Sequence, residues 1–106
     1  MQLPPRLKDR IAWRAQAAAG LAVTLAPLPL AWLGAAGVGV GLPPASWLLV
    51  FGLIEAIHVA ELPFSLRAHA RRAERLKRRP RTGRRILATL TIGYPAWVPY
   101  ARGVFD

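Results

Sequence analysis

Three ionisable residues, Glu55, His58 and Glu61, lie inside an apolar stretch that runs from Trp47 to Leu66. A helix turns by about 100° per residue, so the two glutamates lie about 60° to either side of His58 on one helical face. Ionisable groups at membrane depth are costly to insert, and they mark functional sites more often than other residues do. A Glu/His set also has acid–base potential.

Three interpretations of this set remain open on the sequence alone. The residues are hydrogen-bonding contacts to other helices or to a partner protein. Alternatively, they bind a lipid, isoprenoid or similar ligand, or relay protons. In the third interpretation, His58 is an axial ligand to a haem or pigment, or Glu55 and His58 form half of a di-iron site, which would need a second copy of the motif. We expect no metal and no resident cofactor.

Enzyme signatures are missing from the sequence, so we assign no catalytic residue. There is no phosphate-binding glycine loop and no His-Glu-x-x-His helix, and neither Ser46 nor Ser65 lies in a Gly-x-Ser-x-Gly turn. Cysteine is absent, which excludes disulfides, thiolate metal sites and a cysteine nucleophile.

Charge and hydrophobicity are segregated along the 106 residues, of which 54% are hydrophobic although the net charge is +10. No charged residue occurs between Ala15 and Leu42, whereas the stretch from Arg67 to Arg85 contains ten Lys or Arg and one acid, Glu74. The apolar stretches are apolar on all sides, as helices in lipid are. The sequence therefore predicts an all-α integral membrane protein with a single domain.

The apolar stretches predict three transmembrane helices, which follow a basic arm over residues 1–14. Span 1 covers residues 15–40, with a kink at Pro27 and Pro29, and span 2 covers residues 46–66, with Ser46 as its N-cap. A basic cytoplasmic helix or loop occupies residues 67–85, and Pro80 stops the helix. Span 3 covers residues 86–101 and is short, about 24 Å at 1.5 Å per residue, so a half-inserted helix is the alternative.

Basic residues set the expected orientation. The N-terminal arm and the 67–85 segment are rich in Lys and Arg, so both are expected in the cytoplasm, with the N-terminus inside. Asp106 then lies outside, with Trp97 and Tyr100 near the outer boundary, and His69 is a solvated residue among the cytoplasmic arginines. The abundance of Ala, Arg, Gly and Pro suggests a bacterial protein, and we expect a multi-pass protein of the inner membrane.

Two further sets of residues have predicted contacts. Gly52, Ala56 and Ala60 recur every four residues, a spacing that lets membrane helices pack closely, although Ala and Gly are common throughout this chain. The basic segment determines topology and attracts anionic headgroups. It contains no aromatic residue for base stacking, which disfavours nucleic acid as a partner. The residues expected to contact headgroups are Arg71, Arg72, Arg75, Arg78 and Arg79.

The second half of the chain, from Glu55 to Tyr100, resembles a family of small three-span membrane proteins of unknown function, represented in animals by transmembrane protein 254. That family has an Ile-His-Val-x-Glu-like stretch in its middle helix, and Gly-Arg leads into a last helix with a mid-span Gly. The basic loop here is longer, and Pro95 and Pro99 interrupt the last helix. The resemblance implies three spans and importance for His58 and Glu61, but no activity. The matching residues are Ile57, His58, Val59, Glu61, Thr82-Gly83-Arg84 and Leu87 through Gly93.

These observations favour a non-catalytic accessory or scaffolding subunit of a larger membrane complex. Three short helices have little internal surface, so we expect Glu55, His58 and Glu61 to be satisfied by other membrane proteins or by a second copy of the chain. The alternatives are a lipid- or isoprenoid-binding protein or enzyme that uses these residues at bilayer depth, and a haem or pigment protein.

Overall fold

The computed structural model describes residues 5–105, with side chains from residue 7 onward. Every regular element within this range is helical, as the sequence predicts. The elements are α1 (Pro5–Leu25), α2 (Pro27–Ala35), α3 (Pro44–Arg75), α4 (Thr82–Ile92), a single 3₁₀ turn (Tyr94–Ala96) and the short α5 (Val98–Ala101).

Helices α1 and α2 form one interrupted helix, and the interruption at Ala26 lies next to the proline pair that predicts a kink. Ala26 keeps helical dihedral angles, with φ −55° and ψ −38°. Pro27 and Pro29 have no N–H to donate, so the helical hydrogen bonds of this turn are incomplete. The basic arm is part of the same helix, because α1 already begins at Pro5.

Helix α3 is longer than the predicted span at its N-terminal end and stops earlier in the basic segment than expected. Pro43 rather than Ser46 occupies the N-cap position, and Pro44 is the first helical residue, where a missing N–H costs nothing. The helix ends at Arg75 because Lys77 adopts φ 54° and the Arg78 N–H donates to Ala73 O at 2.7 Å. This backbone turn is a C-terminal cap, and it ends the helix before Pro80 is reached.

The third apolar segment is not one helix over residues 86–101, which corrects the prediction for it. Helix α4 ends at Ile92, and Gly93 turns the chain at φ 87° and ψ −145°. Leu90 contacts His58, whereas Ala96 contacts His69, 11 residues further along α3. At 1.5 Å per residue, this places the two contacts about 16 Å apart along α3. The segment therefore runs along α3 and then doubles back.

The described C-terminal residues consequently lie at the basic end of the molecule rather than at the opposite end. Arg10 donates from Nε to Val104 O at 3.0 Å, and Arg72 lies over the Tyr100 ring, 4.9 Å from its centroid. The expectation that Tyr100 lies near the outer boundary is wrong for the same reason. Asp106, which we also expected on the outer side, lies outside the described residues.

Two helical stretches, Leu7–Ala35 and Pro44–Arg75, are long and apolar enough to cross a membrane. The molecule is flat, with extents of 51 × 38 × 16 Å. Large apolar side chains are exposed along both stretches, among them Val23, Trp32, Leu49 and Leu53. Such a surface is normal against lipid and unusual against water.

Close packing occurs where α1 meets the end of α4. Gly20 of α1 approaches the Ile92 carbonyl so closely that a Cβ atom at this position would collide with it. The sequence analysis did not identify Gly20 as a packing residue. Because Gly20 has no side chain, α1 can pack directly against the turn that Gly93 forms.

Candidate functional site

His58 is buried, with 8% of its surface exposed, and its partner is a backbone carbonyl of the third segment. Its Nδ1–H donates to Leu90 O at 2.8 Å. Leu90 lies in the last turn of α4, where carbonyl groups lack helical donors. Because a carbonyl oxygen only accepts, this bond places a proton on Nδ1. His58 thus satisfies a carbonyl that the turn at Gly93 leaves without a helical partner.

The other ring nitrogen of His58 faces Gly93. A Cβ atom added at Gly93 would lie 2.7 Å from Nε2 and 3.1 Å from Cδ2 of the imidazole. The φ of 87° at this glycine is a conformation that side chains strongly disfavour. The positive φ and the lack of space for a Cβ atom both require glycine at position 93. The turn therefore packs directly against the His58 imidazole.

The two glutamates flank His58, and each has a buried carboxylate oxygen without a hydrogen-bond partner among the described residues. Glu55 Oε1 lies 3.4 Å from His58 Nδ1, a contact of the i,i+3 type on α3. Glu61 lies beside the Trp97 indole. Three buried atoms of this region, Glu55 Oε1, Glu61 Oε2 and Trp97 Nε1, have no hydrogen-bond partner among the described residues.

His58 belongs to a longer line of buried residues on α3, which we call the polar stripe: His58, Ser65 and His69. Ser65 and Thr89 hydroxyls are 2.7 Å apart. The Nε2–H of His69 donates to Ala96 O at 2.9 Å, and His69 is only 5% exposed. The prediction of a solvated His69 is therefore wrong. Each residue of the stripe bonds to the segment that doubles back.

Metal and haem sites find little support in this geometry. Within the described part of the chain, no three His, Cys, Asp or Glu side chains come together as metal ligands would. The Nε2 atom of His58, which an iron atom would need, is covered by Gly93. The half di-iron site that we considered for Glu55 and His58 is not completed within the described chain.

A cavity of about 300 Å³, which we call the lateral cavity, opens between α1, α3 and the Gly93 turn. His58 and Glu61 line it together with Tyr94, whose hydroxyl donates to Gln16 Oε1 of α1 at 2.8 Å. Most of the remaining wall is apolar. These apolar residues include Ala19, Val23, Ile54, Ile57, Ile92 and Pro95.

A larger cavity of about 740 Å³, which we call the basic cavity, lies at the end of the molecule where the N-terminal helix meets the 67–85 segment. Seven arginines line it, and no Asp or Glu occurs among its described lining residues. The aromatic residues Trp13, Tyr100 and Phe105 complete part of the wall. The lining arginines are Arg10, Arg14, Arg72, Arg78, Arg79, Arg81 and Arg85.

Aromatic rings hold several of these guanidinium groups in position. Arg72 and Arg85 both lie over the Tyr100 ring, with Cζ atoms 4.9 and 4.7 Å from its centroid. Arg14 lies 5.8 Å from the Phe105 centroid, and the Tyr100 and Phe105 rings are 5.1 Å apart. Cation–π contacts of this kind stabilise closely spaced positive charges.

The structure brings together only part of the predicted headgroup set. Arg72, Arg78 and Arg79 line the basic cavity, whereas Arg71 and Arg75 are exposed and do not. The sequence analysis missed the contributions of α1, α4 and the C-terminal aromatic residues. Tyr100 was expected at the opposite end of the third segment.

The predicted packing residues Gly52, Ala56 and Ala60 are all exposed. A Cβ atom at Gly52 would meet nothing within 4 Å. These three residues, which we call the small-residue face, therefore lie on the exposed surface of the described chain. The glycines that make close contacts inside the molecule are Gly20, Gly34 and Gly93.

We compared the chain with protein-family models, curated proteins and solved structures, and found no significant match in any of the three. The resemblance to the transmembrane protein 254 family stays a prediction. His58 and Gly93, which both belong to the residues that carry this resemblance, are in contact.

Proposed function

We propose that this chain is a multi-pass membrane protein that binds an anionic lipid headgroup in its basic cavity, without catalysing a reaction. The observation that carries the proposal is the set of seven arginines around one cavity of about 740 Å³. Ligand sites have volumes of roughly 300–1,000 Å³ and a few convergent polar groups. This proposal extends the predicted contact of the basic segment with anionic headgroups, whereas the lipid-binding alternative placed its ligand at Glu55, His58 and Glu61.

In the proposed arrangement, α1–α2 and α3 cross the inner membrane of a bacterium, and the third segment enters from the cytoplasmic side and turns back at Gly93. Irregular backbone is tolerated at membrane depth only where protein covers it and satisfies its polar groups. The bonds from His58 to Leu90 O and from His69 to Ala96 O support this arrangement. The N-terminal and 67–85 arginines line one cavity, and the positive-inside rule favours the cytoplasm for it.

Phosphate is the headgroup chemistry that fits this cavity best. The planar guanidinium fork pairs with phosphate oxygens in a bidentate manner and carries its charge at every physiological pH. Seven such groups exceed what a single carboxylate needs. The cytoplasmic leaflet also supplies anionic lipids at the depth where juxtamembrane arginines lie.

The test compares two double variants that lose the same charge. Arg81→Gln with Arg85→Gln removes two arginines that line the basic cavity, and Arg71→Gln with Arg84→Gln removes two that do not. We expect the first pair to weaken binding of dioleoyl phosphatidic acid at least tenfold more than the second, because the loss of even one charge-assisted hydrogen bond costs about 1.5–3 kcal/mol. Native mass spectrometry of the detergent-solubilised protein measures the bound lipid.

Equal losses from the two pairs would mean nonspecific attraction to the basic surface and would contradict the proposal. Arg85 contacts Tyr100, so its replacement also affects packing. Arg78→Gln with Arg81→Gln is a second pair at exposed positions of the cavity rim. It should weaken binding in the same way while the circular dichroism spectrum stays unchanged.

The accessory-subunit function is the second candidate, and it now depends on a different surface. The Glu55–His58–Glu61 set that was expected to dock onto a partner is directed toward the third segment, as the His58 bond illustrates. The small-residue face is exposed and has the spacing of a helix–helix contact in lipid. Ala56→Leu with Ala60→Leu tests this candidate, because bulky side chains prevent the close backbone approach that such a contact needs.

A further inference from the structure

We propose that the bound lipid is a phosphate ester whose single long hydrocarbon chain leaves the basic cavity and lies in the lateral cavity. This inference rests on the proposed function, because it takes the phosphate in the basic cavity as its starting point. The hydrocarbon chain is the second half of this ligand, and the residues of the lateral cavity recognise it.

The two cavities are neighbours with a common wall. Ile92 and Pro95 line both of them. Beside this wall, Trp13 lines the basic cavity and Tyr94 lines the lateral cavity, and their rings are in edge contact with centroids 6.0 Å apart. The shared wall makes the two cavities adjacent, and we place the chain across Ile92 and Pro95, so that a ligand whose phosphate lies among the arginines reaches the lateral cavity.

The walls of the lateral cavity suit a hydrocarbon chain over much of their area. Val23 of α1 and Ile57 of α3 lie on opposite sides of it and are both more than half exposed. In a bilayer, this opening faces lipid, so a chain can enter sideways without crossing the molecule. Contact between the chain and these apolar side chains resembles contact with other hydrocarbon chains. Close packing against the cavity wall is what makes binding at this site specific.

The polar residues of the lateral cavity restrict where the chain can lie. Tyr94 and Gln16 bond to each other, and the imidazole of His58 is bonded to Leu90 O and covered by Gly93. These groups therefore need no partner from the ligand. The chain is expected to follow the aliphatic wall formed by Ile54, Ile57 and Ile92 rather than the Glu61 side.

The experiment compares hexadecyl phosphate with butyl phosphate, which share a headgroup and differ in chain length. Ile57→Trp fills the lateral cavity, and Leu53→Trp is the control, since Leu53 is one turn away on α3, is 59% exposed against 62% for Ile57, and does not line the cavity. Binding is measured by native mass spectrometry in one detergent at fixed concentration, so that micelle partitioning is the same for all variants.

We expect Ile57→Trp to weaken hexadecyl phosphate binding about tenfold and to leave butyl phosphate binding unchanged, because the long chain loses its packing contacts with the aliphatic wall. Leu53→Trp should change neither. If Ile57→Trp and Leu53→Trp behave alike while the Arg81/Arg85 pair still loses both ligands, the chain does not lie in the lateral cavity and only this inference fails. If the Arg81/Arg85 pair loses no more of either ligand than the Arg71/Arg84 pair, the proposed function fails as well.

Discussion

The two sides of α3 differ in their contacts, because one side bonds to the third segment and the other is exposed. On the inner side, His58, Ser65 and His69 each bond to the third segment. On the outer side, Gly52, Ala56 and Ala60 are exposed, and a Cβ atom at Gly52 would meet nothing within 4 Å. The inner side of α3 therefore stabilises the fold of the chain, and the outer side is accessible to other molecules.

The difference follows from what each motif can offer. Small residues only permit a close approach, and they need a second helix that brings its own packing surface. Polar side chains instead supply donors to carbonyls that a broken segment leaves without partners. The third segment is broken at Gly93, so it requires the polar stripe and not the small-residue face.

Gly93→Ala should break the inner contact most severely. The new Cβ would lie 2.7 Å from His58 Nε2, and the backbone conformation at φ 87° and ψ −145° costs a non-glycine residue about 1–3 kcal/mol before any clash. We expect the third segment to detach, which rapid tryptic cleavage after Arg84 and Arg85 in detergent would reveal. Denaturant titration followed by circular dichroism measures the accompanying loss of stability.

Gly83→Ala is the matched control for this substitution. Gly83 lies in the first turn of α4, has no positive φ and meets nothing within 4 Å. Alanine favours the helix over glycine by up to about 1 kcal/mol, so this variant should be unchanged or slightly more stable. Equal protease resistance of Gly93→Ala and Gly83→Ala would contradict the packing described for the turn.

The sequence predicts the local features of this fold but not the contacts between residues that are far apart in the chain. The long apolar runs predict the helical character and three spans, and two of these correspond to helices long enough to cross a membrane, because these properties depend on local composition. The interruption beside Pro27 is local too, since it needs only the missing N–H groups. Pro95 and Pro99 indicated a weakened last helix, but the turn begins at Gly93, where the contact with His58 from another helix decides the outcome.

His69 and Tyr100 illustrate why the rest was not predictable. His69 has arginines as sequence neighbours, which suggested a solvated residue, but its partner Ala96 lies 27 residues further along the chain. Tyr100 was assigned to the outer boundary because one continuous span would carry it there. Once the segment doubles back, the same residue lies between Arg72 and Arg85, and the basic cavity exists only as a result.

His58→Ala should weaken the inner contact less than Gly93→Ala. It leaves Leu90 O without its donor, and an unpaired buried acceptor costs about 1–3 kcal/mol. We expect a corresponding decrease in the free energy of unfolding and faster amide exchange at the end of α4, with the α3 amides little changed. Unchanged exchange at residues 90–93 would mean that the histidine does not hold the turn. Leu53→Ala on the exposed side of α3 is the control for the loss of a large side chain.

Ala56→Leu with Ala60→Leu tests the outer side and should have the smallest effect on the monomer. Both residues are exposed, and substitutions at exposed positions usually change stability by less than about 0.5 kcal/mol. If the accessory-subunit candidate is right, the leucines should abolish a close helix–helix contact, since bulky residues prevent backbone approach. Analytical ultracentrifugation or cross-linking in native membranes would then lose an oligomer or a co-purified subunit, while phosphatidic acid binding persists. A pronounced destabilisation of the isolated monomer would instead show that the outer side also packs within the chain, and the contrast between the two sides of α3 would be wrong.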